Sequence, residues 1–365
     1  MNPILARNWR RILPFGLIWF VLGFFFMAND YFALGDNPVA SGAIDPTFSV
    51  LVFALLAIFS LGLLIGIFET LYVNKLFRNF SFIRTILSKF VLYSMLFTLM
   101  VGFSYPIAAA LELDTDLKSP LVWFKFRQFW QSDALYGTAI QLLFSLTISL
   151  IYAEIRDNLG DSVLLNIFTG KYHKPIQEER IFMFVDMKDS TTIAEKLGHV
   201  SYFTFLQQYY NDMAEPIVKH RGEVYQYIGD EIVISWPKAK GIAYNNAVNC
   251  FFAMQKAMNK RDTFYINTYG VVPKFKAALH MGMVTTGELG ALKKEIVFTG
   301  DVLNTTARIQ DLCNNLKSKL LVSEHLRMAL KEETKIEFVP KGAVELKGKH
   351  EIVNLYAVHK KIPYS

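Results

Sequence analysis

Between Arg11 and Lys75 the chain has neither lysine nor arginine, and none of its seven histidines precedes His173. Charged residues make up only 19% of the 365 positions, against about 25% in an ordinary soluble domain. Hydrophobic residues reach 52% and aromatics 15%, with 31 phenylalanines. That average is too apolar for one soluble globule and too polar for a chain lying wholly in a membrane, so two unlike parts are being averaged. Cysteine is nearly absent. Cys250 and Cys313 are the only two; they lack metal-ligand spacing, exclude a disulfide-rich secreted scaffold and fit a reducing cytosol as buried apolar side chains. Disorder and a collagen-like fibre are excluded by the same composition.

Four uncharged runs stand out, Ile12–Asn29, Phe48–Phe68, Phe90–Leu111 and Ala134–Ala153. As helices at about 1.5 Å per residue each spans roughly 27 to 33 Å, matching a hydrocarbon layer of ~30 Å. Four transmembrane helices are expected, with Pro14 and Pro106 near helix ends, where a kink costs least. The N-terminus carries Arg7, Arg10 and Arg11, and the second connection Lys75, Arg78, Arg84 and Lys89, whereas the first connection has Asp30, Asp36 and Asp45 and no basic residue. The positive-inside rule therefore places both termini in the cytoplasm of a multi-pass protein of the inner or plasma membrane. The first run lacks a small-x-small cleavage site, so it reads as a retained span. The net charge of +6 follows from this topology, and no nucleic-acid partner is expected. Without histidine this half is unsuited to bis-histidine haem or copper. Glu69 and Lys89 fall toward the cytoplasmic ends, where they can snorkel. A connector follows, in which Ile155, Leu159, Val163 and Ile167 form a helical stripe that continues the fourth span until Gly170 and Pro175 end it. The expected domains are 1–153 in the membrane, 154–177 as connector and 178–360 in the cytoplasm.

From Arg180 the texture changes. Ile181–Val185 reads as a buried strand ending at Asp186, and helical periodicity follows over 190–197 and 203–220. Glu223–Ile228 and Glu231–Trp236 flank Gly229-Asp230 as a hairpin. A helix over 242–259 and strands near 275–280 and 295–299 complete an α+β domain with a ferredoxin-like or palm-like core. Asp186 ends the first strand and Asp230 tips the hairpin. If the strands are neighbours the two carboxylates converge, and hard oxygen ligands on rigid strand ends suit a pair of Mg ions. Taken singly, each Asp reads equally as a turn or cap residue.

Four motifs in order decide between these. Phe184-Val-Asp186-Met-Lys-Asp-Ser-Thr191, Gly229-Asp230-Glu231, Gly300-Asp-Val-Leu-Asn304-Thr-Thr-Ala-Arg308 and Leu346-Lys347-Gly348-Lys349 resemble the catalytic domain of class III nucleotidyl cyclases over about residues 178 to 358. The resemblance implies that Asp186 and Asp230, with the Met187 carbonyl, hold two Mg or Mn ions per site. It implies that Asn304 orients the ribose, Arg308 stabilises charge on the α-phosphate and Lys347 holds the triphosphate. It also implies a homodimer, paired through the catalytic domains and the membrane helices, in which one copy supplies the aspartates and the other Asn304, Arg308 and Lys347.

Four positions depart from the family pattern. Gln226 stands where adenylyl cyclases place Lys and guanylyl cyclases Glu. Val297 stands where a polar partner is usual, with Thr299 on the same strand face as a substitute. Asp189 replaces a Gly. Lys276 replaces a phosphate-contacting Arg, keeping the charge without the bidentate fork. ATP is the expected substrate, with GTP as the alternative, since a Gln amide can pair with either base. A nucleotide-sensing receptor without turnover and a small transporter with a regulatory domain are the competing classes. No Gly-Gly-Asp/Glu-Glu-Phe signature of a diguanylate cyclase is present.

Overall fold

A computed structural model describes residues 2–34, 42–73, 76, 82–292, 294–333, 335–346 and 352–361. The chain forms two compact units, Leu5–Leu164 and, in the main, Leu165–Ser365.

The first unit contains helices α1 (Pro3–Leu34), α2 (Phe48–Phe68), α3 (Phe82–Glu112), α4 (Pro120–Phe129) and α5 (Asp133–Leu159). Four of them carry segments long and apolar enough to cross a membrane: Pro3–Phe32, Phe48–Val73, Leu87–Glu112 and Asp133–Leu159. Phe15, Trp19, Leu61 and Ile65 are buried where these helices pack. The Trp19 indole donates to the Ser149 hydroxyl at 2.9 Å, tying α1 to α5. Gly62 makes the α1–α2 approach possible, because a Cβ there would lie 2.8 Å from the Phe15 carbonyl oxygen and from Trp19 Cβ.

Several local expectations are corrected. The helices outrun the apolar segments, so Pro14 and Pro106 lie inside α1 and α3; transmembrane helices tolerate proline because neighbouring groups re-satisfy the freed backbone. Glu69 does not snorkel. It opens a π-helical turn, Glu69–Val73, is 3% exposed, pairs with Lys89 at 2.5 Å and accepts a hydrogen bond from Tyr93. The third connection holds helix α4, with Lys125 of α4 paired to Glu112. The connector is not one continuous helix. Gly160, at φ +89°, interrupts it, and a separate α6 (Asp161–Thr169) follows.

The second unit runs β1 (Ile176–Met187), α7 (Ser190–Leu197), α8 (His199–Lys219), β2 (Glu223–Ile228), β3 (Glu231–Pro237), α9 (Lys238–Ile242), α10 (Asn246–Asn259), α11 (Asp262–Tyr269), β4 (Phe275–Leu289), β5 (Glu295–Thr299), α12 (Asp301–Asn315), β6 (Leu320–Ser323), α13 (Glu324–Ala329), β7 (Ile336–Glu345) and β8 (Ile352–Lys360). The strand order is β2-β3-β1-β4-β6-β8-β7, with β5 beside β4. The first four strands reproduce the ferredoxin-like arrangement, two strand–helix–strand units in the order β2-β3-β1-β4 with β3 and β1 adjacent in the middle. β1 pairs antiparallel with both β3 and β4.

Strand alternation sorts the residues of β1 onto two faces. Ile181, Met183, Val185 and Met187 pack with Phe205, Tyr209 and Met213 of α8 and Val248, Phe251 and Met254 of α10. Phe182 and Phe184 face the other way, against Val233 and Val302, the latter on α12. Cys250 and Cys313 are free and buried, and burial pushes the Cys313 thiol up to about 12. The packing of α1 on α2 yields a prediction. Gly62→Val should lower the thermal midpoint of the detergent-solubilised protein through overpacking of about 1–3 kcal/mol; an unchanged midpoint would contradict this helix contact.

Candidate active site

The register of the central strands places the expected metal residues. β1 pairs Val185 with Ile232 of β3 and Asp186 with Lys276 of β4. One step past the Val185 rung, the chain on the β3 side is Glu231 and then the tight turn Gly229-Asp230, with Gly229 at φ +62°. The Tyr210 hydroxyl on α8 donates to the Gly229 carbonyl at 2.8 Å, and its ring lies 4.5 Å from that of Tyr227, so the hairpin tip is held from below. Asp189 adopts φ +56°, a left-handed conformation that favours Gly and that Asp tolerates. This accounts for the glycine expected there. The Met187 side chain is buried in the core, leaving its backbone as the group available to a ligand.

These groups form one electrostatic cluster. Lys276, with its side chain 11% exposed, lies 3.3 Å from the Asp186 carboxylate. Burial raises the Asp186 pKa above the ordinary carboxylate range; Lys276 opposes this and Asp230 adds to it. Glu231 is pushed up to about 7 by burial and then by the charges of Asp186, Asp230 and Asp311. Oδ2 of Asp230 is buried without a hydrogen-bond partner among the described residues. An orphaned carboxylate oxygen beside a second carboxylate is what a divalent cation would satisfy, so the residues present fit one. Among the described residues no three His, Cys, Asp or Glu side chains are arranged to hold a metal. A cation held by two carboxylates and a carbonyl would take its remaining ligands from water and phosphate oxygens.

The other expected residues lie elsewhere. Gln226 is exposed on β2, just after a bulge at Tyr225. Val297 and Thr299 sit on β5, paired with Gly287 and Thr285 of β4. The Thr299 hydroxyl donates to the Thr285 carbonyl at 3.3 Å. Tyr225 and Phe298 are in contact, with ring centroids 4.8 Å apart, so the segments carrying Gln226 and Val297 meet within one chain. Asn304 and Arg308 lie on the outward side of α12, opposite its buried Val302, Thr306, Ile309 and Cys313. Among the described residues neither makes a side-chain hydrogen bond or ion pair. The structure thus gathers Asp186, Met187, Asp230 and Lys276 and places Asn304 and Arg308 together on α12. Lys347 lies outside the described residues.

Residues 172–360 match the family described as adenylate and guanylate cyclase catalytic domain. The chain belongs to that family. It is 33% identical to "Adenylate cyclase 2" of Rhizobium meliloti (strain 1021) over 222 residues, 60% of this chain and 61% of that protein. It is 25% identical to an adenylate cyclase of Anabaena cylindrica over 183 residues, 48% of this chain and 36% of that one. The chain therefore spans less than two thirds of the length of these relatives. The fold also matches a solved bacterial light-regulated adenylyl cyclase, with a TM-score of 0.54 and 22% identity, covering 62% of this chain and 66% of that one.

The Asp186–Lys276 pair and the placement of Glu231 and Tyr210 depend on register and have no local signature in the sequence. The Glu231 environment has a pH consequence. Its folded-state pKa of about 7 exceeds the ordinary 4.5, so the folded cyclase domain binds more protons than the unfolded chain between those values. The stabilisation is complete below the lower value and is lost as pH rises through the upper one. The melting temperature of the metal-free protein should fall between about pH 5 and pH 8, and Glu231→Gln should flatten that slope. An equal slope in the variant would contradict this account.

Proposed function

We propose that this chain is a membrane-anchored class III cyclase that converts ATP to 3′,5′-cyclic AMP and pyrophosphate, at sites shared between two copies of the chain. The observation that carries this is the convergence of Asp186 and Asp230, with a buried, unpartnered Asp230 oxygen, in a chain of the cyclase family. The relatives named adenylate cyclase support ATP; GTP is the alternative.

Asp186, Asp230 and the Met187 carbonyl would hold two Mg or Mn ions, which when bound supply charge neutralisation on the triphosphate and acidify the ribose 3′-hydroxyl. The chain's own residues do the positioning. Lys276 holds the Asp186 carboxylate in place. Asn304 orients the ribose, Arg308 meets the charge growing on the α-phosphate, and Lys347 holds the β- and γ-phosphates. The 3′-oxygen bonds to the α-phosphorus as the bond to the bridging oxygen breaks; pyrophosphate leaves and the hydroxyl proton is released. Catalysis of this kind is mostly alignment and electrostatics. Base contact falls to Gln226, Val297 and Thr299.

Two further observations support the assembly. Among the described residues Asn304 and Arg308 have no side-chain partner on the outward side of α12, as groups presented to a second copy do. A twofold pair of identical chains would then complete two equivalent sites. The four apolar helices expose large side chains such as Phe25, Phe32 and Phe103, the surface expected against lipid, and the basic residues of the N-terminus and second connection put both termini in the cytoplasm. On this reading residues 1–153 anchor, 154–177 connect and 178–360 catalyse.

The test is turnover of purified full-length protein with ATP and with GTP, in Mg and in Mn. Cyclic product and pyrophosphate should form in equal amounts. Asp186→Ala and Asp230→Ala should each lose activity by at least about a hundredfold while the protein still folds and inserts. Turnover near the parent level in either variant would overturn the assignment of these carboxylates. Nucleotide binding without any product would favour the sensing receptor.

A further inference from the structure

Arg180, on β1, is a charged side chain only 2% exposed, and the chemistry proposed above does not use it. Its Nη1 donates to Glu178 at 3.1 Å. Its Nη2 donates to Glu223 of β2 at 2.9 Å and to the Ser235 hydroxyl of β3 at 3.0 Å. The guanidinium carbon lies over the Phe298 ring of β5, 4.5 Å from its centroid, while Nε is buried without a hydrogen-bond partner among the described residues. Glu178 in turn accepts from Thr286 of β4 at 2.9 Å and from the Tyr172 hydroxyl at 3.1 Å.

Burying an ion pair is a weak route to stability, since apolar side chains of similar volume often do as well. A planar guanidinium does something they do not. Its fork has fixed directions and its face a fixed normal, so one group sets the position of several partners at once. Here the fork is held by β1, β2 and β3, and the face supports β5. The two strands it joins carry the base-contact positions. Gln226 follows Tyr225 on β2, and Val297 and Thr299 flank Phe298 on β5, with the Phe298 amide donating to the Tyr225 hydroxyl at 3.4 Å. Val297 has no hydrogen-bonding side chain, and the Thr299 hydroxyl is engaged with its own sheet. Base discrimination on the β5 side therefore depends on where the strand lies.

We propose that Arg180, through its contact with Phe298, is a positioning residue that sets the purine preference of the site. This rests on the reading of Gln226, Val297 and Thr299 as the base contacts of a nucleotide site. A residue with a merely structural role would alter the use of ATP and GTP by the same factor. A positioning residue alters their ratio.

The experiment compares full-length protein with Phe298→Leu, which keeps an apolar side chain and should fold, and with Arg180→Met. KM and kcat are measured for ATP and GTP. Binding of both is measured separately by displacement of a fluorescent ATP analogue in Ca. Each variant should change the ATP-to-GTP preference by on the order of tenfold, with the change in KM or binding rather than in kcat. The double variant should add little to either single one, because both remove the same contact. If the parent turns over nucleotide and the variants leave the ratio unchanged, or if the two effects add, the inference is overturned while the cyclase reading stands. If the parent binds nucleotide without turnover and the binding ratio shifts, the inference stands and the cyclase reading fails. If neither nucleotide binds the parent, both fail.

Discussion

Two carboxylates, Asp186 and Asp230, are brought together at one end of the central strands, where burial first and their mutual repulsion after it oppose the charge on Asp186. Lys276 sits on the neighbouring strand directly across from Asp186. Glu231, one residue past Asp230, is driven toward protonation first by burial and then by the charges of Asp186, Asp230 and Asp311, which Lys276 only partly offsets. Tyr210 holds the hairpin tip from the helical side. Such a site is destabilising by itself and stays in place only because β1 is anchored on both edges and packed on both faces. The same strand supplies Arg180, so both ends of the proposed catalytic surface hang on the register of β1.

Much of this was legible in the sequence. The helix at 190–197, the hairpin about Gly229-Asp230, the strand at 295–299 and the helix opening at Asp301 all have strong local signals, either clean periodicity or a glycine at a turn. The ferredoxin-like order follows from the succession of elements. What local pattern leaves out is register and length. β1 begins at Ile176, through polar Gln177, Glu178 and Glu179 that no apolar run announces: Gln177 is exposed, Glu178 accepts from Thr286 and Arg180, and Glu179 accepts from Lys238. Lys276 reads in the sequence as a phosphate contact, and its rung opposite Asp186 is visible only in the sheet register. A stripe of apolar residues predicts a continuous connector helix but says nothing of the backbone conformation at Gly160, where the helix breaks.

The first unit shows the same limit. Apolar runs mark its helices well, yet Glu69 looked like an end-of-span residue and is buried against Lys89 and Tyr93 in a π-helical turn. A pair of that kind is costly in an apolar layer and survives only when both partners are placed to meet. Hydropathy registers such a pair as two charges near a boundary, since it carries no information on which helices adjoin.

The central claim is that a working site needs Asp186 and Asp230 of one copy and Asn304 and Arg308 of another. Its most direct test mixes Asp186→Ala chains, inactive alone, with Arg308→Ala chains, also inactive alone, and measures cyclic nucleotide formation by the mixture. Half of a random population is mixed pairs, each with one intact site, so activity should return to about a quarter of the parent level per site. No recovery, in a preparation where mixed pairs are shown to form, would contradict the account.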